Sequence, residues 1–163
     1  MNLLRALAAV VLALAGQATL GRIWPEGHRF VDVMLATVVW YGIAHSQRGA
    51  MLVGCAGGLL QDAWFHLGAF GTEGFKKTLI GWALGVLAVR LDLNHSAGRF
   101  VTGGLFAAAD VLADQIVPRI LDQPTHWPGI TALMVRAAAT GLLVAAIGGI
   151  VDRRRRRRAA FRE

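Results

Sequence analysis

The chain has 163 residues, 55% of them hydrophobic, and a formal net charge of +7. With a mean hydropathy of +0.51 it is too apolar for a soluble domain with a wetted surface, and it belongs to the integral-membrane class. Its single cysteine, Cys55, excludes an intramolecular disulfide and a CxxC metal knuckle.

A spanning helix needs about 20 mostly apolar residues. Six segments approach that length: 3–20, 30–44, 50–66, 76–90, 100–120 and 129–150. The first, MNLLRALAAVVLALAGQA, has one Arg, an apolar core and small residues near position 16, which is also the pattern of a cleavable signal peptide. Retaining it as a helix gives an even count, in agreement with the charge distribution. The second, third and fourth segments are short, so their ends are expected to reach into flanking polar residues. Breakers separate the segments: Trp24-Pro25-Glu26-Gly27, then 45–49, 68–74, 92–98 and 122–128. The 68–74 connection is short enough to dip into the membrane. Beyond the last segment, residues 152–163 form a basic tail. The expected fold is an all-α integral-membrane bundle of six transmembrane helices, and its short connections leave no room within these residues for an extracytoplasmic enzyme head.

Charge sets an expected orientation. With both termini cytoplasmic, eleven basic residues lie inside: Arg5, Arg48, Arg90, Arg99, Arg153, Arg154, Arg155, Arg156, Arg157, Arg158 and Arg162. Five lie outside: Arg22, Arg29, Lys76, Lys77 and Arg119. Arg136 falls within a helix. This distribution obeys the positive-inside rule. The six consecutive arginines follow directly on an apolar segment, where each contributes roughly 1 kcal/mol of attraction to anionic lipid head groups. A lipid-binding tail is therefore preferred to a nucleic-acid-binding one.

The most informative stretch is 54–85, GCAGGLLQDAWFHLGAFGTEGFKKTLIGWALG. An apolar helix runs into Asp62, a Gly-containing connection follows, and Lys76-Lys77 opens the next apolar helix. An acid at such a helix end needs a partner. Lys76, Lys77 and the backbone N–H groups of the connection are the ones at hand. This segment resembles the MreD family, the small polytopic subunit of the bacterial rod-shape complex. The resemblance rests on Gly58-Leu59-Leu60-Gln61-Asp62, the glycines of 68–74, and Thr78-Leu79-Ile80-Gly81. About thirty residues carry it. Lys76-Lys77 departs from that motif.

Small residues recur at four-residue spacing. Gly54 and Gly58 form one GxxxG and Gly81 and Gly85 another. Gly103–Ala107, Gly104–Ala108 and Gly141–Ala145–Gly149 continue the pattern. Such stripes let helix backbones approach. They serve packing inside the bundle or a groove for a partner's transmembrane helix, and Gly54, Gly58, Gly81 and Gly85 are the candidate partner face. On that face Asp62 and His66 continue the line from Gly54 and Gly58.

Three charges fall inside apolar segments. Asp110 and Asp114 are four apart and share a face, and Arg136 lies in the last segment. Depth from the helix ends brings Asp114 and Arg136 level, so a salt bridge is expected between them. Asp110 has no evident partner at its own depth, which leaves three readings: it is protonated, it shares Arg136, or it faces a wet cavity. A proton relay or substrate site is the rival reading of these acids.

Catalytic patterns are absent: there is no nucleophile triad, Walker loop or HExxH. His28, His45, His66, His95 and His126 fall near segment ends, where they read as solvated rather than as ligands, and no metal or cofactor is expected. Trp24, Trp64 and Trp127 fit an aromatic belt. The MreD resemblance implies a non-catalytic scaffold in the bacterial inner membrane. Its implied partner is MreC, with RodA, a class B penicillin-binding protein and MreB in the wider complex, and its implied role is regulation of peptidoglycan synthesis and cell shape. MreD-like chains are also similar to the six-helix substrate-binding subunits of ECF transporters, which supplies the alternative of a vitamin-binding membrane subunit. Topology is directly testable. A reporter fused after Glu163 is expected to report the cytoplasm, and a periplasmic signal there overturns the even helix count.

Overall fold

The structure, a computed structural model, describes residues 3–25, 27–65, 69–90, 93, 95–120 and 127–160. Every regular element among them is helical: α1 Leu3–Ile23, α2 Gly27–Phe30, α3 Val33–Ala44, α4 Gln47–Phe65, α5 Thr72–Arg90, α6 Ser96–Ile120 and α7 Gly129–Ala160. Three are long and apolar enough to cross a membrane, over Leu4–Ile23, Ser96–Ile120 and Gly129–Arg154. This is the architecture of a helical membrane protein.

The helix α3 is the centre. It is only 12 residues long, so at 1.5 Å per residue it extends roughly 18 Å. Its sequence, VMLATVVWYGIA, is apolar all round, which is the pattern of a helix enclosed on every side. Met34, Leu35, Ala36, Val38 and Val39 are fully buried, and α1, α4, α5, α6 and α7 all touch it. Val10 and Ala13 of α1, Leu84 of α5, Ala107 of α6 and Val144 of α7 complete the core around it.

Two polar side chains start α3 where the sequence places no breaker. Asp32 is its N-cap and accepts the Leu35 N–H at 2.9 Å. Gln17, buried on α1, accepts the Val33 N–H at 2.8 Å and donates to the Val31 carbonyl at 3.2 Å. Two of the orphan donors in the first turn of the buried helix, the N–H groups of Val33 and Leu35, are thereby satisfied.

Several boundaries differ from the sequence reading. The stretch from 30 is not one helix: the short α2 ends at Phe30 and α3 begins at Val33. The fifth element, α5, starts at Thr72 rather than 76, because Asp62 caps its first turn. The last helix does not stop near 150. It runs unbroken to Ala160, so Arg153–Arg158 continue the helix instead of forming a separate tail. Long unbranched arginines are good helix formers, and no glycine or proline interrupts them. Residues 66–68 lie outside the described residues, so the expected stacking of His66 and the dip of the 68–74 connection are not described.

The glycine stripes are spent inside the bundle. The helices α4 and α5 lie backbone to backbone. A Cβ on Gly54 would strike the Lys77 carbonyl, and one on Gly58 would strike Glu73 and Gly74. From the other side, a Cβ on Gly81 would sit 2.7 Å from Ala50, and one on Gly85 would strike Gln47. This corrects the expectation that Gly54, Gly58, Gly81 and Gly85 form a partner face. In α6 and α7 the same device places Gly103 against Gly141. Replacement of Gly54 by Ala is expected to destabilise by about 1–3 kcal/mol through overpacking against backbone that cannot yield. Gly149→Ala, whose Cβ meets nothing within 4 Å, is expected to keep or slightly raise the thermal unfolding temperature in detergent, because Ala is the better helix former. The comparison of the two melts checks the packing.

Candidate functional site

The residues flanking Asp62 explain how its charge is held. It ends the buried face of α4, and the chain returns through Gly71, which has a φ of +95° that only glycine adopts without strain. That turn aims the start of α5 at the carboxylate. Asp62 accepts N–H groups from Gly71 at 3.0 Å, Glu73 at 3.1 Å and Gly74 at 3.3 Å. An anion at a helix N-terminus is favoured by both the free N–H groups and the helix dipole. Of the partners considered from the sequence, the backbone therefore holds Asp62, while Lys76 and Lys77 are engaged elsewhere.

Those two lysines lie in a buried cluster of seven charged side chains from four helices. Both point inward from α5, at 2% and 0% exposure. Glu73, one turn earlier on the same helix, bonds to both. Lys77 also reaches Asp32, the N-cap of α3, at 3.0 Å. Lys76 bonds to Asp114 of α6 and lies 3.8 Å from Asp110. Arg136 of α7 pairs with Asp110 at 2.5 Å and stands 3.7 Å from Asp114 and 3.8 Å from Asp32. Gln61 of α4 donates to Asp32 at 3.4 Å and brings in a fifth helix.

The expected ion pair of Asp114 with Arg136 is present at 3.7 Å, but it is not the closest contact of either side chain. Arg136 takes Asp110 as its close partner, and Asp114 goes to Lys76. Asp110 and Asp114 are one turn apart, about 5.4 Å along the axis, a distance that the long arginine side chain spans. Level helix ends therefore do not decide between them. What decides is Lys76, which arrives from a third helix and takes Asp114. Asp110, which has no evident partner in the sequence, is fully buried and ion-paired.

Sequence reasoning missed Asp32 and Glu73. A signal exists for each. Asp32 directly precedes an uninterrupted apolar run, which is an N-cap position. Glu73 stands three and four residues before the two lysines, the spacing of helical ion pairs. It was hidden because the helix was started at 76.

The cluster is not balanced. Four carboxyl groups (Asp32, Glu73, Asp110, Asp114) face three cations (Lys76, Lys77, Arg136). Within it, Asp110 Oδ1, Gln61 Oε1 and Arg136 Nε are buried without a hydrogen-bond partner. At the far end of α6 and α7, a separate pair joins Arg99 to Asp152 at 2.7 Å. Chemically the cluster clamps helices and accepts further donors. It presents no nucleophile paired with a general base. No family model, curated protein or solved structure matches the chain.

Removal of Lys77 takes the close cation from Asp32, leaving it only Arg136 at 3.8 Å, and one of the two lysines from Glu73. Lys77→Met is expected to cost about 3–5 kcal/mol, the range for breaking a buried ion pair from one side. Adding Asp32→Asn, which keeps an oxygen for the Leu35 N–H, is expected to recover part of that loss. Thermal melts of the single and double variants measure the coupling. A double variant less stable than Lys77→Met rejects it.

Proposed function

We propose that this chain is an MreD-like scaffold of a bacterial rod-shape complex, a six-span bundle in the inner membrane with both termini cytoplasmic. It binds MreC, works beside RodA, a class B penicillin-binding protein and MreB, and catalyses nothing itself. The observation that carries this reading is how the motif residues are used. Gly58 and Gly81 close α4 onto α5, and Asp62 closes on the start of α5 through three N–H groups. The motif behaves as one rigid helical hairpin, as a scaffold requires. The arginines that continue α7 place positive charge where anionic lipid head groups meet a cytoplasmic helix end.

The alternative is a vitamin-binding subunit of an ECF-type transporter. Such a site is expected to be lined by Asp110, Asp114 and Trp127. Among the described residues, one cavity of about 200 Å³ lies between α5 and α6 and another of about 570 Å³ between the ends of α1 and α4. Neither of these two is lined by those three residues. Affinity purification in mild detergent separates the two. MreC is the expected co-purifying protein. An ATPase module with a coupling subunit, or tight binding of a vitamin by the isolated chain, reverses the ranking.

A further inference from the structure

The glycine faces are closed within the bundle, so a partner has to bind elsewhere. The packing of α6 and α7 is uneven along their length. Towards one end Arg99, Thr102, Gly103, Phe106, Ala107, Asp110 and Val111 are buried. From Leu112 to Ile120 no residue of α6 is buried, and neither is any residue of α7 from Gly129 to Ala139. Ile116, Ile120, Ile130 and Met134 are each more than half exposed there. Lipid alone covers apolar side chains well. It does not cover Asp114.

Asp114 lies six residues from the end of α6, roughly 9 Å along the axis, and about a third of its side chain is exposed (34%). A carboxylate facing hydrocarbon at that depth is costly. Its Oδ1 is bonded to Lys76. Its nearest cationic group otherwise is Arg136 at 3.7 Å, beyond hydrogen-bond reach. Beside it Asp110 Oδ1 is buried without a hydrogen bond, with the Lys76 ammonium 3.8 Å away. The cluster as a whole has one carboxyl more than it has cations. The open side of Asp114 and the excess carboxyl share one remedy: a further cationic donor arriving at the level of Asp114.

We propose that the outer half of the α6–α7 hairpin is the docking surface for a partner's transmembrane helix, and that this helix brings a Lys or Arg to Asp114. This rests on the scaffold reading and specifies which face the scaffold uses. The apolar residues around Asp114 supply the dispersion contacts that join helices in lipid, and the acid fixes depth and register, because a partner helix shifted by a turn leaves its own cation unpaired in hydrocarbon.

The test places a photoreactive amino acid at Ile116, Met134 or, as a control on another face, Leu12, in cells that also contain MreC. Crosslinks to MreC are expected from Ile116 and Met134 and not from Leu12. In parallel, Asp114→Asn is expected to lower MreC recovery by on the order of tenfold, about 1.4 kcal/mol, while Asp114→Glu restores it. The folded monomer is followed by size-exclusion chromatography. Should Asp114→Asn fail to fold, the crosslinks decide alone. MreC recovered with the native chain but crosslinked only from Leu12, or recovered in full with folded Asp114→Asn, overturns this surface and leaves the scaffold standing. Absence of MreC from the native chain's complexes overturns both.

Discussion

Two lysines that no water reaches set the terms for this bundle. Lys76 and Lys77 are buried at adjacent positions of α5, and an ammonium group without partners in such a place costs several kcal/mol. Their neutralisation comes from Glu73 on the same helix, Asp32 at the start of α3, and Asp110 and Asp114 on α6, with Arg136 of α7 bound to the same acids. A shift of any one helix along its axis separates charges that cannot turn to solvent. Apolar packing alone tolerates sliding, because one leucine is much like another. The ion cluster does not tolerate it, so it specifies register where hydrophobic contact supplies cohesion.

The close approach of α4 and α5 is the counterpart of that cluster. Gly54 lies directly beneath the Lys77 carbonyl, so the glycine stripe and the lysine pair occupy the same level of the same interface. One side of α5 is pressed against α4 by the missing Cβ atoms, and the other side carries the ammonium groups to their acids. Asp62 then fixes the start of α5 through its N–H groups. Three separate devices thus position one helix, and all three lie within the thirty-residue segment that is most distinctive in the sequence.

How much of this was legible beforehand depends on the range of each interaction. Local signals read well: the all-helical class, the apolar segments, the small-residue spacing, and the need of Asp62 for a partner. Boundaries at Asp32 and Thr72 were harder, because each is set by a cap rather than by the apolar run itself. That Asp110 shares Arg136 is one of the readings the sequence leaves open, but which acid Arg136 takes as its closer partner is not decided there. The choice depends on Lys76 arriving from a third helix, and pairwise depth matching between two helices contains no such information. Burial of the glycine stripe was likewise undetermined, since a GxxxG face looks the same whether it packs within the chain or outside it. The central place of α3 was hidden for a related reason. Its short length argues against a span, while its unbroken apolarity argues for enclosure, and enclosure is what the fold uses.

One consequence follows from the continuity of α7. Its 32 residues form a single rod of roughly 48 Å, longer than the hydrocarbon thickness of about 30 Å. Near the point where it leaves the apolar stretch, Asp152 is tied back to Arg99, so the rod leaves at an angle fixed by the bundle. The arginine block is therefore mechanically part of the bundle and not a tethered appendage. Successive positions on a helix turn by about 100°, so six consecutive arginine positions encircle the axis and favour no single side. The backbone of α7 therefore carries positions 153–158 past its apolar stretch as a continuation of the same rod.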